Sequence, residues 1–125
     1  MSLKSFLSIH AIIALVYGLG FIVMPGVLVG YFGGHLGPAG VFMGRLFGSA
    51  LLTYAAVLWL ARTAEDSTAR RAITLGFFLT MIVGGVVSLH EQLKGIVNML
   101  GWSTVALYFV LAACYGYYHF SSSRS

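Results

Sequence analysis

Gly40-Val-Phe-Met-Gly-Arg-Leu-Phe-Gly-Ser-Ala-Leu-Leu-Thr-Tyr-Ala-Ala-Val-Leu-Trp-Leu-Ala61 carries a single charge, Arg45. About 20 mostly apolar residues are enough to cross a bilayer as a helix, which satisfies its own backbone groups. An arginine inside such a helix costs about 3 kcal/mol on insertion scales. It must therefore snorkel to the surface, pair with an acid or grip an anionic ligand. The guanidinium fork suits phosphate or carboxylate. Gly40, Gly44 and Gly48 recur every four residues, so they share one face of the same helix. Small residues at that spacing let a second helix approach closely. They are the expected packing residues, either within a bundle or at a homodimer seam.

The rest of the chain has the same character. Of its 125 residues, 59% are hydrophobic and 8% charged, whereas soluble domains carry about 25% charged residues. The mean hydropathy is +0.93. These values predict an all-α integral membrane protein with one domain over residues 1–125. Apolar segments at 3–24, 38–62, 68–93 and 98–120 are each long enough to span, which predicts a four-helix bundle. Period-two alternation is absent, which argues against barrel strands. The first apolar run is long for a secretory signal and lacks an A-x-A site, so it reads as a retained helix.

The punctuation between segments has physical causes. Pro25 should end the first helix, and Pro38 suits a first helical position. Asp66, Ser67 and Thr68 are plausible N-caps for the third span, Gly95 its C-terminal cap, and Asn98 the N-cap of the fourth. The loop Pro25-Gly-Val-Leu-Val-Gly-Tyr-Phe-Gly-Gly-His-Leu-Gly-Pro38 has no charge. A solvated loop would be more polar, so a short interfacial helix is expected near residues 25–32. The serine-rich residues 121–125 are expected to fray.

Charge placement sets the expected orientation. Lys4, Arg62, Arg70, Arg71 and Arg124 fall on one side, and Lys94 falls on the other near Arg45. Short loops rich in Lys and Arg stay in the cytoplasm. Both termini are therefore expected there, in a cell inner (plasma) membrane. Trp59, Tyr117 and Tyr118 would mark the inner interface, and Tyr31 and Trp102 the outer one.

Few residues can carry chemistry. The formal charge is +4, but the basic residues are scattered at helix ends, with no stripe interleaved with aromatics, which argues against nucleic acid as a partner. Only three acids exist, so general acid–base catalysis has few players and no enzyme is expected. Glu91, in Ser88-Leu-His-Glu-Gln-Leu-Lys94, is the acid nearest in depth to Arg45. Arg45, His90 and Glu91 are the candidate ligand-binding residues, for an anionic or lipid-like molecule. His90 and Glu91 point about 100° apart on a helix. The spacing H-E-x-x-H is absent, because Leu93 and Lys94 stand where a second His would be needed, so no metal is expected. His10 and His119 are the other intramembrane candidates, for haem. Cys114 is alone and reads as a small buried hydrophobe.

Gly44-Arg-Leu-Phe-Gly-Ser-Ala-Leu-Leu, Trp59-Leu-Ala-Arg62, Met24-Pro-Gly and Gly101-Trp-Ser-Thr-Val-Ala-Leu-Tyr108 look like segments of small bacterial four-helix membrane proteins. The chain is similar in size and layout to DoxX-like proteins. That resemblance implies a four-helix inner-membrane fold and a link to quinone-dependent redox systems as a partner subunit. It supplies no catalytic residue and no cofactor, and no redox motif matches this sequence. The function expected from all these features is an accessory or scaffolding subunit of a larger membrane complex, in contact with membrane lipid and other subunits. The alternatives are a binder or carrier of a small amphipathic molecule, and a haem- or quinone-linked redox helper using His10 or His90.

Overall fold

The computed structural model describes residues 1–122, and these are helical apart from turns, bends and short connections. Arg124, counted above among the cytoplasmic charges, lies outside the described residues, as does most of the serine-rich tail. The order is α1 (Leu3–Val23), α2 (Pro25–Tyr31), α3 (Pro38–Ala61), α4 (Thr68–Leu93) and α5 (Gly101–Ser122). Three of them, α1, α3 and α4, are long and apolar enough to cross a membrane, as in a membrane protein. The fifth has spanning length at 22 residues. It also carries Tyr108, Tyr115, Tyr117, Tyr118 and Trp102.

The helix ends follow from local chemistry. Ser2 caps α1 by accepting from the Ser5 N–H at 3.2 Å. Pro25 begins α2 and Pro38 begins α3, each where a missing N–H costs nothing. Of the three candidate caps for α4, Ser67 takes the role and accepts from the Arg70 N–H at 3.1 Å. At the other end of α4, Gly95 adopts φ +77. The Ile96 N–H then reaches the Glu91 carbonyl at 3.2 Å, and the Gly95 N–H that of Gln92 at 3.1 Å. This closing pattern needs a left-handed residue after the helix. Asn98 does not begin α5. Its Oδ1 accepts from the Leu100 N–H at 3.0 Å, forming a turn of residues 98–100 that delays the helix to Gly101.

The chain divides into two compact units, Met1–Ala64 and Glu65–Ser125. In the first, α1 and α3 pack along their lengths. Their backbones come close at Gly18 and Gly48. A Cβ on Gly48 would lie 2.7 Å from the Gly18 carbonyl oxygen and 3.0 Å from the Ile22 nitrogen. Backbone therefore meets backbone, with no room for a methyl group. Leu7 and Leu58 are fully enclosed, and Ala11, Ala14 and Ala55 are buried with them. Phe21 and Phe47 meet edge-on at 5.1 Å. The other two glycines of the triplet face elsewhere. A Cβ on Gly44 would be 3.1 Å from Pro25 at the start of α2, and one on Gly40 would be 3.0 Å from the end of the Leu36 side chain.

The second unit is a hairpin of α4 and α5 that uses rings where the first uses backbone. The ring of Tyr108 occupies the space of a Gly84 Cβ, Phe109 covers Gly85, and Phe78 covers Gly116. Phe77 stacks on Tyr115 at 5.6 Å, and Tyr115 is fully buried. The partner numbers run in opposite directions, so the helices are antiparallel. Outward faces of all four long helices are apolar: Val16 is 64% exposed, Leu60 74%, Val83 62% and Val110 59%.

Glycine substitutions should separate close contacts from open faces. Gly48→Ala must displace backbone and should lower the unfolding midpoint in detergent, by about 1–3 kcal/mol of stability. Gly76 has nothing within 4 Å of an added Cβ, so Gly76→Ala should be neutral or gain up to about 1 kcal/mol. Equal effects at the two sites would contradict the α1–α3 contact.

Candidate functional site

Arg45 lies about 10 Å along α3 from Pro38. It sits one residue beyond Gly44, so it turns about 100° away from the face that meets Pro25. The side chain is exposed. The first unit contains Lys4, Arg45 and Arg62 but no Asp or Glu, so Arg45 has no carboxylate in its own unit. On its exposed flank Ser49 follows one turn later, and the Ser49 hydroxyl donates to the Leu46 carbonyl at 2.8 Å.

His90 and Glu91 belong to the second unit, at the last turn of α4. Glu91 finds its polar neighbours at the end of its own helix. Oε1 lies 3.3 Å from His90 Nδ1, and Oε2 lies 3.9 Å from Lys94 Nζ. The two adjacent side chains thus meet although their Cα–Cβ bonds diverge, because both are long and solvent-facing at a helix end. Such exposed pairs contribute at most about 1 kcal/mol. Arg45 and Glu91, the pair expected from the sequence, belong to different units. Among the described residues, no three of His, Cys, Asp or Glu converge as a metal site.

Further polar contacts were not legible in advance. Gln92 Nε2 donates to the Asn98 carbonyl at 3.1 Å. Its Oε1 is buried without a hydrogen-bond partner and sits where a Gly101 Cβ would be. A side chain at residue 101 would therefore expel Gln92 from the α4–α5 connection. At the opposite end of the hairpin, the Thr74 hydroxyl donates to the Arg71 carbonyl at 3.0 Å and lies 2.9 Å from His119 Nδ1. Which of the two groups donates depends on the His119 tautomer. That bond ties α4 to α5, while His10 is buried on α1 in the other unit. Beside them, Asp66 Oδ1 is 3.4 Å from both Arg70 Nη2 and Arg71 Nε. In the first unit, Arg62 stacks on Trp59, its guanidinium carbon 3.9 Å from the ring centroid. The i, i+3 spacing of Trp59 and Arg62 was a readable signal for that stack. Nothing local in the sequence marks Thr74 for His119, 45 residues away.

A family model described as Domain of unknown function (DUF8292) matches residues 8–123. The chain belongs to the DUF8292 family. No curated protein and no solved structure matches it significantly. In this DUF8292 chain the matched region takes in the Gly18–Gly48 contact, Arg45, the Thr74–His119 bond and Glu91, and it begins after Lys4.

Thr74→Val keeps the shape and removes the hydrogen bond to His119, leaving a polar ring nitrogen facing a methyl group. It should cost about 1–3 kcal/mol, read as a lower unfolding midpoint in detergent. Thr74→Ser should retain most of the stability. A Val variant as stable as the parent would remove the hydrogen bond from any role in holding the hairpin.

Proposed function

We propose that this DUF8292 protein is a non-enzymatic, multi-pass subunit of the inner (plasma) membrane, serving as an accessory or scaffolding part of a larger membrane complex. In this reading α1, α3, α4 and α5 cross the bilayer as a four-helix bundle, and α2 lies in the interface between Pro25 and Tyr31. Both termini are cytoplasmic. The likeness in size and layout to DoxX-like proteins supports the arrangement.

The observation that carries the reading is the outer face of α3. Arg45 is exposed there beside Phe42, Met43 and Leu46, all exposed themselves. An arginine at that depth costs about 3 kcal/mol unless an anion or water meets it. Its own unit offers no carboxylate, so the counter-charge comes from beyond that unit. An acidic side chain on a partner helix, or on a second copy of this chain, would meet that need while apolar neighbours packed around it. The same observation favours a second reading, a binder or carrier of an anionic amphipathic molecule whose head group takes the guanidinium fork.

Gentle extraction followed by native mass spectrometry should retain a protein partner or a second copy, and Arg45→Gln should release it. Release of a bound amphipathic molecule instead would favour the carrier. A co-purified chromophore in the absorption spectrum would favour a haem- or quinone-linked helper. A monomer with unchanged mass in both proteins would contradict the scaffold. For orientation, single cysteines at Ser122 and His35, in a protein lacking Cys114, should label from opposite sides. An impermeant reagent should modify only the His35 site in intact cells, and labelling at Ser122 would reverse the topology.

A further inference from the structure

The two units handle charge differently. In the second, Asp66 meets Arg70 and Arg71, and Glu91 meets His90 and Lys94. The first has three cationic side chains and no acid. Two of these cations share one end. Gly18 faces Gly48, and fourteen residues separate Lys4 from Gly18 and Gly48 from Arg62. The antiparallel helices therefore bring Lys4 and Arg62 to the same level, about 21 Å from the crossing. Glu65, the acid nearest to Arg62 in sequence, forms no ion pair among the described residues.

We infer that this end of the first unit binds the phosphate of an anionic phospholipid, held by Lys4 and Arg62 with Trp59 as a shelf. The inference rests on reading α1 and α3 as membrane spans. Stacking on Trp59 fixes the plane of the Arg62 guanidinium. Its Nε is buried and unbonded, which leaves the two terminal nitrogens as donors. Neither donates a hydrogen bond to a partner among the described residues. A phosphodiester satisfies that fork in the bidentate manner that a chloride or a single water cannot. Lys4 is exposed and adds a second positive charge without an ion pair. The acyl chains of the same lipid would lie along Leu60 and Trp59, which are 74% and 47% exposed. Indole rings favour this depth, with an apolar body and a polar edge. A zwitterionic lipid would bring its own cation into a cluster that already lacks acids, so the site selects net negative charge. Arg70 and Arg71 carry no such selectivity, because Asp66 already sits between them.

The protein contains two tryptophans, so Trp102→Phe leaves Trp59 as the only indole reporter. This variant is reconstituted into mixed phosphatidylglycerol and phosphatidylcholine vesicles, with bromine on the chains of one lipid or the other at equal mole fraction. Brominated phosphatidylglycerol should quench Trp59 more strongly than brominated phosphatidylcholine. Lys4→Gln, at an exposed position that leaves the stack intact, should reduce that preference about fivefold, the effect of one surface cation. Arg62→Gln should reduce it further, and Arg71→Gln should leave it in place. Equal quenching by the two lipids, or an equal loss with Arg71→Gln, overturns the site. Loss of the preference on adding inorganic phosphate at constant ionic strength overturns the lipid assignment in favour of a soluble anion. No quenching by either lipid would instead mean that α3 is not embedded, which is a distinct failure of the membrane reading.

Discussion

Gly18 and Gly48 approach so closely that a single added carbon would strike a carbonyl oxygen. In hydrocarbon, burying apolar surface gives helices no reason to associate, since lipid tails are equally apolar. Attraction must come from fit, summed over many weak atomic contacts. Two glycines facing each other bring whole backbones into range. Once they meet, the register of α1 and α3 is set. It encloses Leu7 with Leu58 and leaves small alanines at the other contact positions. It also lets Pro25 fold α2 against Gly44, and it levels Lys4 with Arg62. The charge pattern of the first unit is thus a consequence of where two helices cross.

The second unit reaches the same end by other means. Tyr108, Phe109 and Phe78 lie over Gly84, Gly85 and Gly116, so each ring gains a backbone surface to pack on. Hydrogen bonds then hold both ends of the hairpin, through Thr74 and His119 at one and Gln92 and Asn98 at the other. These contacts are worth most where water is scarce, because an unpaired donor there is costly. In this unit Asp66 and Glu91 meet basic side chains at the two ends of α4. The first unit has no acid, so Lys4, Arg45 and Arg62 meet no carboxylate within it.

Helix positions were legible because their determinants are local. Pro25, Pro38, Ser67 and Gly95 act through backbone donors, φ restriction and short-range caps, and each stands at an observed boundary. Asn98 misled because the same side chain that can cap a helix can also close a turn before one. The glycine triplet was recognisable as a packing motif, but only Gly48 meets another helix backbone. Gly44 meets Pro25 at the start of α2 and Gly40 meets Leu36 in the connection that follows it, and spacing alone does not say which neighbour a face will meet. The pairing of Arg45 with Glu91 rested on depth and opposite charge. The contacts of Glu91 with His90 and Lys94, at the end of its own helix, depend on side-chain reach that depth alone does not give. The Thr74–His119 bond depends on hairpin register, which emerges only when rings are fitted onto glycines.

The Gly18–Gly48 crossing predicts which residues of α1 and α3 lie opposite each other, and cysteine cross-linking reads that register directly. Ala11 and Ala55 are both buried at matching distances from the crossing, whereas Ile12 and Ala56 are both exposed. In membranes carrying a protein with Cys114→Ala, the double variant Ala11→Cys and Ala55→Cys should oxidise to an intramolecular disulfide. Ile12→Cys with Ala56→Cys should remain reduced under the same treatment. Efficient cross-linking of the exposed pair, with none from the buried pair, would contradict the crossing on which the rest of the first unit depends.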